Sequence, residues 1–198
     1  MSFTRRNAML QAAQAGLLSA CGLSERPFVE QRRWPMAVPR SSILPARIGG
    51  KTIELRKLRA GPGLEGDELQ IVKADGSLAL QFYERWSVPP ADGVEGCLML
   101  WLNQSGRFSA VLPQGSRAIA DITLEGSLTS LHIDLAQRRA EAVIALTAID
   151  LRSPGRKILM QSNFTGKADL INGQPADQVH AQLAALSEVF DQIENAIP

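Results

Sequence analysis

The sequence predicts an α+β fold in which two main helices pack on an antiparallel β-sheet, preceded by a signal peptide and a proline-rich tether. Three observations predict this class. Apolar and polar residues alternate through several short runs between residues 52 and 165, which is typical of strands. Two longer runs keep helical spacing, and each begins at a proline. The connections between successive strand runs are too short for parallel crossovers, so an antiparallel meander is expected.

The amino terminus has the order of a secretory signal. The first seven residues carry two arginines and no acid, Ala8–Leu18 is uncharged and mostly apolar, and Ser19 and Ala20 are small. This order predicts a signal peptide over residues 1–20, exported by either the general or the twin-arginine route. An amphipathic first helix is the alternative, but its polar face would hold only two glutamines.

The segment Leu18-Ser19-Ala20-Cys21 resembles the bacterial lipobox. In a lipobox the cysteine thiol receives a diacylglycerol, the preceding peptide is removed, and the new amino terminus is acylated. Cys21 is therefore the predicted lipidation site and first mature residue, and its acyl chains would anchor the protein stably to a membrane. Cys97 then has no disulfide partner, and its apolar surroundings in the sequence predict a buried, inert thiol.

Composition limits the class of partner. Removal of residues 1–20 leaves 178 residues, enough for one domain with its own core. Removal of the signal also removes its two arginines, which leaves 19 basic and 20 acidic residues and a net charge of −1. A chain this close to neutral has no electrostatic footprint for nucleic acid or for anionic membrane surfaces. Membrane association is therefore assigned to the lipid.

The strands are expected in a domain over residues 51–198. Before it, residues 21–50 form the lipidated amino terminus and a proline-rich tether, with a short edge strand near Trp34–Val38. The Asp75-Gly76 pair predicts a tight hairpin turn, and a bulge or bend is expected near Gly126. The predicted strands are Thr52–Leu58, Leu69–Lys73, Ser77–Trp86, Phe108–Leu112, Ala118–Leu135, Ala140–Leu151 and Lys157–Thr165.

Two helices complete the domain. The first opens at Pro89-Pro90, where proline suits the unpaired amides of a first turn, and stops at Ser105-Gly106. The second begins at Pro175, and its apolar residues recur every three or four positions as far as Ile197. This stripe is expected to cover one face of the sheet. A coiled coil with a partner helix is the alternative, but it needs more heptads.

Catalytic, metal and cofactor motifs are missing from the sequence. The segment Gly61–Gly66 matches GxGxxG, yet a strand follows it instead of the helix that a dinucleotide site requires, so it predicts a plain loop. The two histidines, His132 and His180, lie on a predicted strand and a predicted helix. We therefore expect no enzyme activity, no cofactor and no metal. An envelope hydrolase is the alternative, and it would need one of these histidines beside a serine in a concave pocket.

An aromatic and basic cluster marks the junction between the third predicted strand and the first helix. Tyr83, Arg85 and Trp86 precede the double proline, and these residue types anchor interfaces when they are partly exposed. They are the candidate partner-binding residues. In the alternative interpretation, Trp86 fills the corner between strand and helix.

The order of these features resembles the ABC-type transport auxiliary lipoproteins, the family of the lipoprotein in the paraquat-inducible system. The resemblance rests on the lipobox, Tyr83-x-Arg85-Trp86-x-x-Pro89-Pro90, Ser105-Gly106-x-Phe108-x-x-Val111 and the closing amphipathic helix, and it covers Thr52–Ile197. It implies a non-enzymatic envelope component that partners an Mce-type substrate-binding protein and, through it, an ABC permease and ATPase. The family fold is an antiparallel sheet with helices packed on it.

The predicted location follows from the residue after the lipidated cysteine. Gly22 differs from the aspartate that retains many lipoproteins in the inner membrane. The outer membrane, with the domain facing the periplasm, is therefore favoured, and the inner membrane remains the alternative. A domain that itself carries lipid is a further alternative, which would need an apolar cavity of several hundred Å³.

Overall fold

Nine strands and two helices form the part of the chain that the computed structural model describes, residues 29–198. The predicted signal peptide and Cys21 lie outside the described residues. Within the described residues, Gln31–Pro198 forms one compact unit that holds all of the elements named here. The elements are β1 (Arg32–Trp34), β2 (Thr52–Leu55), β3 (Arg59–Ala60), β4 (Glu68–Val72), β5 (Leu78–Trp86), α1 (Pro90–Asn103), β6 (Ala110–Pro113), β7 (Ile122–Asp134), β8 (Arg139–Asp150), β9 (Ile158–Asp169) and α2 (Pro175–Ala196).

All nine strands belong to one mixed sheet with β7 at its centre. Along one edge β7 pairs with β8 over its full length, and β9 continues this antiparallel meander. Along its other edge β7 pairs in parallel with β2, β3 and β4 in turn. The predicted α+β class with two helices is confirmed, but the sheet is not antiparallel throughout. The loop-length argument applies only to consecutive strands, and the parallel partners are far apart in the chain.

Two local sequence signals produce the expected geometry. The Asp75-Gly76 turn joins β4 and β5 as an antiparallel hairpin, and Gly76 adopts the positive φ of 81° that such a turn requires. In β7 the register shifts between Leu128 and Ser130, a few residues beyond the bulge or bend predicted near Gly126. Gly61–Gly66 is a loop between β3 and β4, as its surroundings in the sequence predict.

The core lies between the sheet and the two helices. The apolar stripe of α2 is buried against β8 and β9, so the expectation that it covers a sheet face is confirmed. Helix α1 packs on β6 and β7. The helices meet where Trp101 and Phe190 form an edge-to-face pair, with ring centroids 5.7 Å apart.

Residues that the sequence assigns to the tether form part of the folded unit. The strand β1 pairs in parallel with the end of β5, and Met36–Arg40 then crosses the two helices. We call Met36–Arg40 the strap. Its Arg40 guanidinium donates to Glu194 of α2 at 2.6 Å, and its Met36 side chain packs at Gly93 of α1. The folded unit therefore begins at Gln31, about twenty residues before the boundary that the proline pattern predicts.

Gly166 of β9 sets the distance between the sheet and α2. A Cβ atom at this position would lie 2.0 Å from the Ala185 carbonyl oxygen, which belongs to the helix backbone and cannot rotate away. We expect Gly166→Ala to lower the free energy of unfolding by about 1–3 kcal/mol, the usual cost of overpacking a core. Thermal or urea unfolding of the variant measures the effect.

Gly96 of α1 provides a matched control for that substitution. A Cβ atom there meets nothing within 4 Å, so Gly96→Ala is expected to raise stability by about 0.5–1 kcal/mol through helix propensity alone. Equal responses of the two glycine variants would contradict the close approach of α2 to β9.

Candidate docking surface

The carboxyl-terminal end of β5 is covered by β1, and its last residue, Trp86, is buried in the core. The Trp86 side chain is 1% exposed, and its backbone amide donates to the Asp67 carbonyl oxygen at 2.6 Å. The residue therefore fills the corner between β5 and α1, which was the alternative interpretation of the aromatic cluster. A partner cannot contact Trp86 without first moving the residues that cover it.

Arg85 is occupied by carboxylates of its own chain. Its Nε donates to Asp67 Oδ1 at 2.6 Å, and its Nη2 lies 3.0 Å from Glu68 Oε1. The hydrogen bond from Arg85 holds the pKa of Asp67 below its ordinary value, with a further contribution from Arg33, which donates to Asp67 Oδ2 at 3.0 Å. Arg85 thus holds the start of β4 against β5, and β1 joins the same cluster through Arg33.

Tyr83 is the one member of the predicted cluster that faces solvent to a large degree. Its side chain is 45% exposed and forms an edge-to-face pair with Phe82, with ring centroids 5.1 Å apart and planes at 87°. Phe82 is 64% exposed. An exposed aromatic pair of this kind offers large contact area with few rotatable bonds, which is typical of interface anchors.

Phe82 continues an apolar stripe along β5 that sequence reasoning did not single out. Leu78 and Leu80 lie on the same side of the strand and are 52% and 55% exposed. On the opposite side of the strand, Gln81 Nε2 donates to Gln178 Oε1 of α2 at 2.6 Å, so the stripe faces away from the helices. We call Leu78, Leu80, Phe82 and Tyr83 the docking surface. Contiguous exposed apolar residues of this kind mark interaction sites.

Within residues 29–198, the outward backbone groups of Leu78 and Leu80 are open to a partner. Gln31 Nε2 donates to the Phe82 carbonyl oxygen at 3.0 Å from the side opposite β4, so that carbonyl points away from the sheet. Because backbone groups alternate along a strand, those of Leu78 and Leu80 point to the same side. Among the described residues, β1 is the strand on this side of β5, and its pairing stops at Glu84.

Glu84 explains why the covered part of β5 ends where it does. Its carboxylate is buried and accepts hydrogen bonds from Trp34 Nε1 at 2.7 Å and from Arg32 Nε at 2.9 Å. These bonds fasten β1 over the last three residues of β5. The register of β5 on β4 is also irregular between Gln81 and Arg85. The exposed and covered halves of β5 therefore meet at this irregularity.

The two histidines differ in their surroundings. His132 of β7 lies beside Ser130, with Ser130 Oγ 2.7 Å from His132 Nδ1, and it pairs across the sheet with Glu141. Burial lowers the pKa of His132, and the charges of Glu141 and Asp134 oppose that shift. His180 is exposed on α2 and lines an apolar groove. The serine that the hydrolase alternative needs is thus adjacent to His132, on the open face of the sheet.

Within residues 29–198, no group of three or more His, Cys, Asp or Glu side chains is placed to hold a metal ion. In the same part of the chain, neither helix combines the length and the apolar composition that crossing a bilayer requires. Cys97 is half-buried, with its Sγ 3.4 Å from the Met36 carbonyl oxygen, and burial raises the pKa of its thiol.

Together these features define an α+β domain with an exposed apolar stripe along one strand. The model of the ABC-type transport auxiliary lipoprotein component family matches residues 37–194. The chain belongs to this family, which confirms the resemblance found in the sequence. Membership supports a role in ABC-type transport and a membrane-anchored place in the cell envelope. No curated protein matches the chain.

Solved structures share the fold at low sequence identity. Protein XCC0632 from Xanthomonas campestris, of family DUF330, is 19% identical with a TM-score of 0.66, and the match covers 82% of this chain and 92% of that one. An uncharacterised protein of known structure is 11% identical with a TM-score of 0.66, over 85% and 100% of the two chains. Identities this low establish the common fold alone.

Proposed function

We propose that this protein is a lipid-anchored periplasmic component of an Mce-type ABC transporter and that it acts by docking another protein. Family membership supports the transport role and the lipoprotein anchor. The observation that carries the docking role is the apolar stripe on β5, where Leu78, Leu80 and Phe82 are each more than half exposed. Such a stripe on a monomer has no folding benefit that would explain it.

The proposed anchor is Cys21. Residues 21–30 separate the lipid from the folded unit, so an extended connection reaches about 33 Å. Gly22 after the cysteine favours the outer membrane, from which the domain would face the periplasm. In this arrangement the acyl chains fix the domain within a short distance of the membrane, and the docking surface binds the transporter.

The proposed occupant of the docking surface is an extended segment of the Mce-type substrate-binding protein, which connects to the permease and the ATPase. Addition of a strand to β5 would satisfy the outward backbone groups of Leu78 and Leu80. Apolar side chains at alternate positions of the added strand would cover the stripe. Backbone hydrogen bonds then supply affinity, and the aromatic pair of Phe82 and Tyr83 supplies specificity.

Photo-crosslinking tests this docking. With p-benzoylphenylalanine at position 82 in cells, we expect a covalent adduct with the Mce-type protein, identified by mass spectrometry. The same probe at Ile119, which is 89% exposed in the loop before β7, is the control. The double variant Leu80→Arg with Phe82→Arg should abolish copurification, whereas Ile119→Arg should not. Both changes affect exposed side chains, so the fold is expected to tolerate them within about 0.5 kcal/mol.

A proline variant separates strand addition from simple side-chain contact. The Leu80 amide points outward, so Leu80→Pro removes a donor that only an added strand would use. We expect Leu80→Pro to prevent copurification while the circular dichroism spectrum stays unchanged. Full copurification of the proline variant would exclude strand addition, and an adduct at position 82 with an unrelated protein would contradict the assignment of the partner.

The hydrolase alternative retains one observation, the 2.7 Å contact between Ser130 and His132. We expect Ser130→Ala to leave transport unchanged and a fluorophosphonate probe to leave Ser130 unlabelled. The reason is that both residues lie on one strand of an open sheet face, where donors for a developing oxyanion would have to come from elsewhere. Labelling of Ser130 would support the hydrolase alternative. Loss of transport in a Ser130→Ala variant that still folds and reaches the membrane would also support it.

A further inference from the structure

An apolar groove of about 610 Å³ runs between the strap and α2, the helix that lies on the opposite side of β5 from Leu78, Leu80 and Phe82. One wall is Ala37–Pro39. The other wall is a single stripe of α2, formed by His180 and the residues three, four and seven positions after it: Leu183, Ala184 and Ser187. The two polar residues lie about 10 Å apart along the helix axis, and the lining between them is apolar.

The groove is held in shape by the attachments of the strap. At one end, Cys97 of α1 lies 3.4 Å from the Met36 carbonyl oxygen, and Gly93 leaves room for the Met36 side chain. At the other end, Arg40 is bonded to Glu194 of α2 and lies over the Trp101 ring at 4.8 Å. Val38 and Leu183 also pack on the core, so both walls are supported from behind. A preformed groove avoids the ordering cost that a flexible site would have to meet on binding.

The size of the groove favours a thin apolar chain over a docked helix. An α-helix of 10–12 Å diameter and 5.4 Å pitch fills about 420–610 Å³ per turn, so the groove volume matches only one to one and a half turns. Helices that dock in grooves place anchors over two turns. The volume lies instead within the range of about 300–1,000 Å³ that is typical of sites for small apolar ligands.

The membrane is the nearest source of such a chain. Residues 21–30 connect the predicted lipid anchor to the folded unit, and the groove wall begins six residues after Gln31. At about 3.3 Å per residue, the chain from Cys21 to Ala37 spans at most about 53 Å. With the lipid anchor at Cys21, the groove stays within about 53 Å of a bilayer, whose acyl chains match its apolar lining.

We infer that the groove between Ala37–Pro39 and α2 receives one acyl chain of a phospholipid from the membrane that anchors the protein. This inference goes beyond docking, and it rests on the proposed function only for the membrane anchor. The domain would then hold a lipid chain on one side and the transporter on the other. His180 and Ser187 supply the polar contacts at the two ends of the apolar floor.

Photoactivatable lipid in living cells tests the inference with the intact lipoprotein. Cells are fed a diazirine-bearing fatty acid, which enters their phospholipids, and are then irradiated. We expect an adduct with the mass of a phospholipid on peptides that contain Ala37–Pro39 or residues 180–187. Ala184→Trp should reduce this adduct at least fivefold, because Ala184 is exposed at the groove and the indole would fill it. Ala176→Trp, an exposed alanine in the first turn of the same helix, should leave labelling unchanged.

Each result has one meaning for the inference. Absence of the phospholipid adduct, or equal labelling of both tryptophan variants, overturns it. An adduct that joins the groove to the acyl chains on Cys21 also overturns it, because the occupant would then be the protein's own anchor. Copurification with the transporter is measured in the same cells. A variant that loses labelling but keeps its partner, or the reverse, separates failure of this inference from failure of the docking proposal.

Discussion

Loss of the lipid at Cys21 is expected to abolish transport. The cleanest test replaces residues 1–20 with a signal that ordinary signal peptidase removes and changes Cys21→Ala, so that the folded unit is released into the periplasm. The protein should move from the membrane fraction to the soluble periplasmic fraction, because triacylation is the only stable anchor predicted for it. Fractionation and a transport or solvent-tolerance assay measure the two effects.

A second cysteine controls for the chemistry of the substitution. Cys97→Ala removes a half-buried thiol and should leave both location and transport as they are. Wild-type transport by the released domain would contradict the proposed mechanism, since docking would then suffice without an anchor. Continued membrane association without Cys21 would show that a part of the chain other than the lipid binds the bilayer.

Glu194→Ala is expected to have the largest effect on stability. The Glu194 carboxylate accepts hydrogen bonds from Arg40 Nη1 at 2.6 Å and from Trp101 Nε1 at 2.9 Å, and the Arg40 and Glu194 side chains are each 10% exposed. Its removal leaves a buried guanidinium without its carboxylate partner, which costs about 3–5 kcal/mol. For a domain of this size the melting temperature should fall by about 6–20 °C. Scanning calorimetry measures the shift.

Two further variants show whether the loss comes from the buried pair. Arg56 and Glu125 form an ion pair at 3.1 Å with both side chains more than 40% exposed, so Glu125→Ala should cost about 1 kcal/mol or less. The double change of Arg40→Met with Glu194→Met removes both charges and should be less destabilising than Glu194→Ala alone. If Glu194→Ala lowered the free energy of unfolding as little as Glu125→Ala does, the buried pair of Arg40 and Glu194 would not be what stabilises the strap on α2.

Local patterns predicted the elements of this fold, but pairing between distant strands could not be predicted from them. The Asp75-Gly76 turn and the three-or-four spacing of α2 each reflect contacts within one element or one hairpin. The parallel pairs of β7 join segments that follow one another only after many residues, and alternation within a strand carries no information about its neighbour. The strap was missed for the same reason. The four prolines of this segment predicted a tether, whereas Arg40 donates a hydrogen bond to Glu194, which lies 154 positions later in the sequence.

The sequence predicted partner-binding residues at the end of β5, and the structure differs from that prediction in which side chains are exposed. Of the three predicted residues, Tyr83 is exposed. Trp86 is buried and Arg85 is held by Asp67, because β1 and the start of β4 cover that end of the strand. The exposed stripe lies a few residues earlier. Apolar alternation there is the same as in a half-buried strand, and it forms a surface because no element within residues 29–198 covers that side.

The central position of β7 has a consequence for how the chain folds. β2, β3 and β4 all precede β7 in the sequence, yet each needs it as a neighbour. Until residues 122–134 are available, these three strands expose unpaired edges, a state that favours aggregation and chaperone binding. Pairings this distant also slow folding. Assembly of the sheet therefore waits for its carboxyl-terminal half, although synthesis proceeds from the amino terminus.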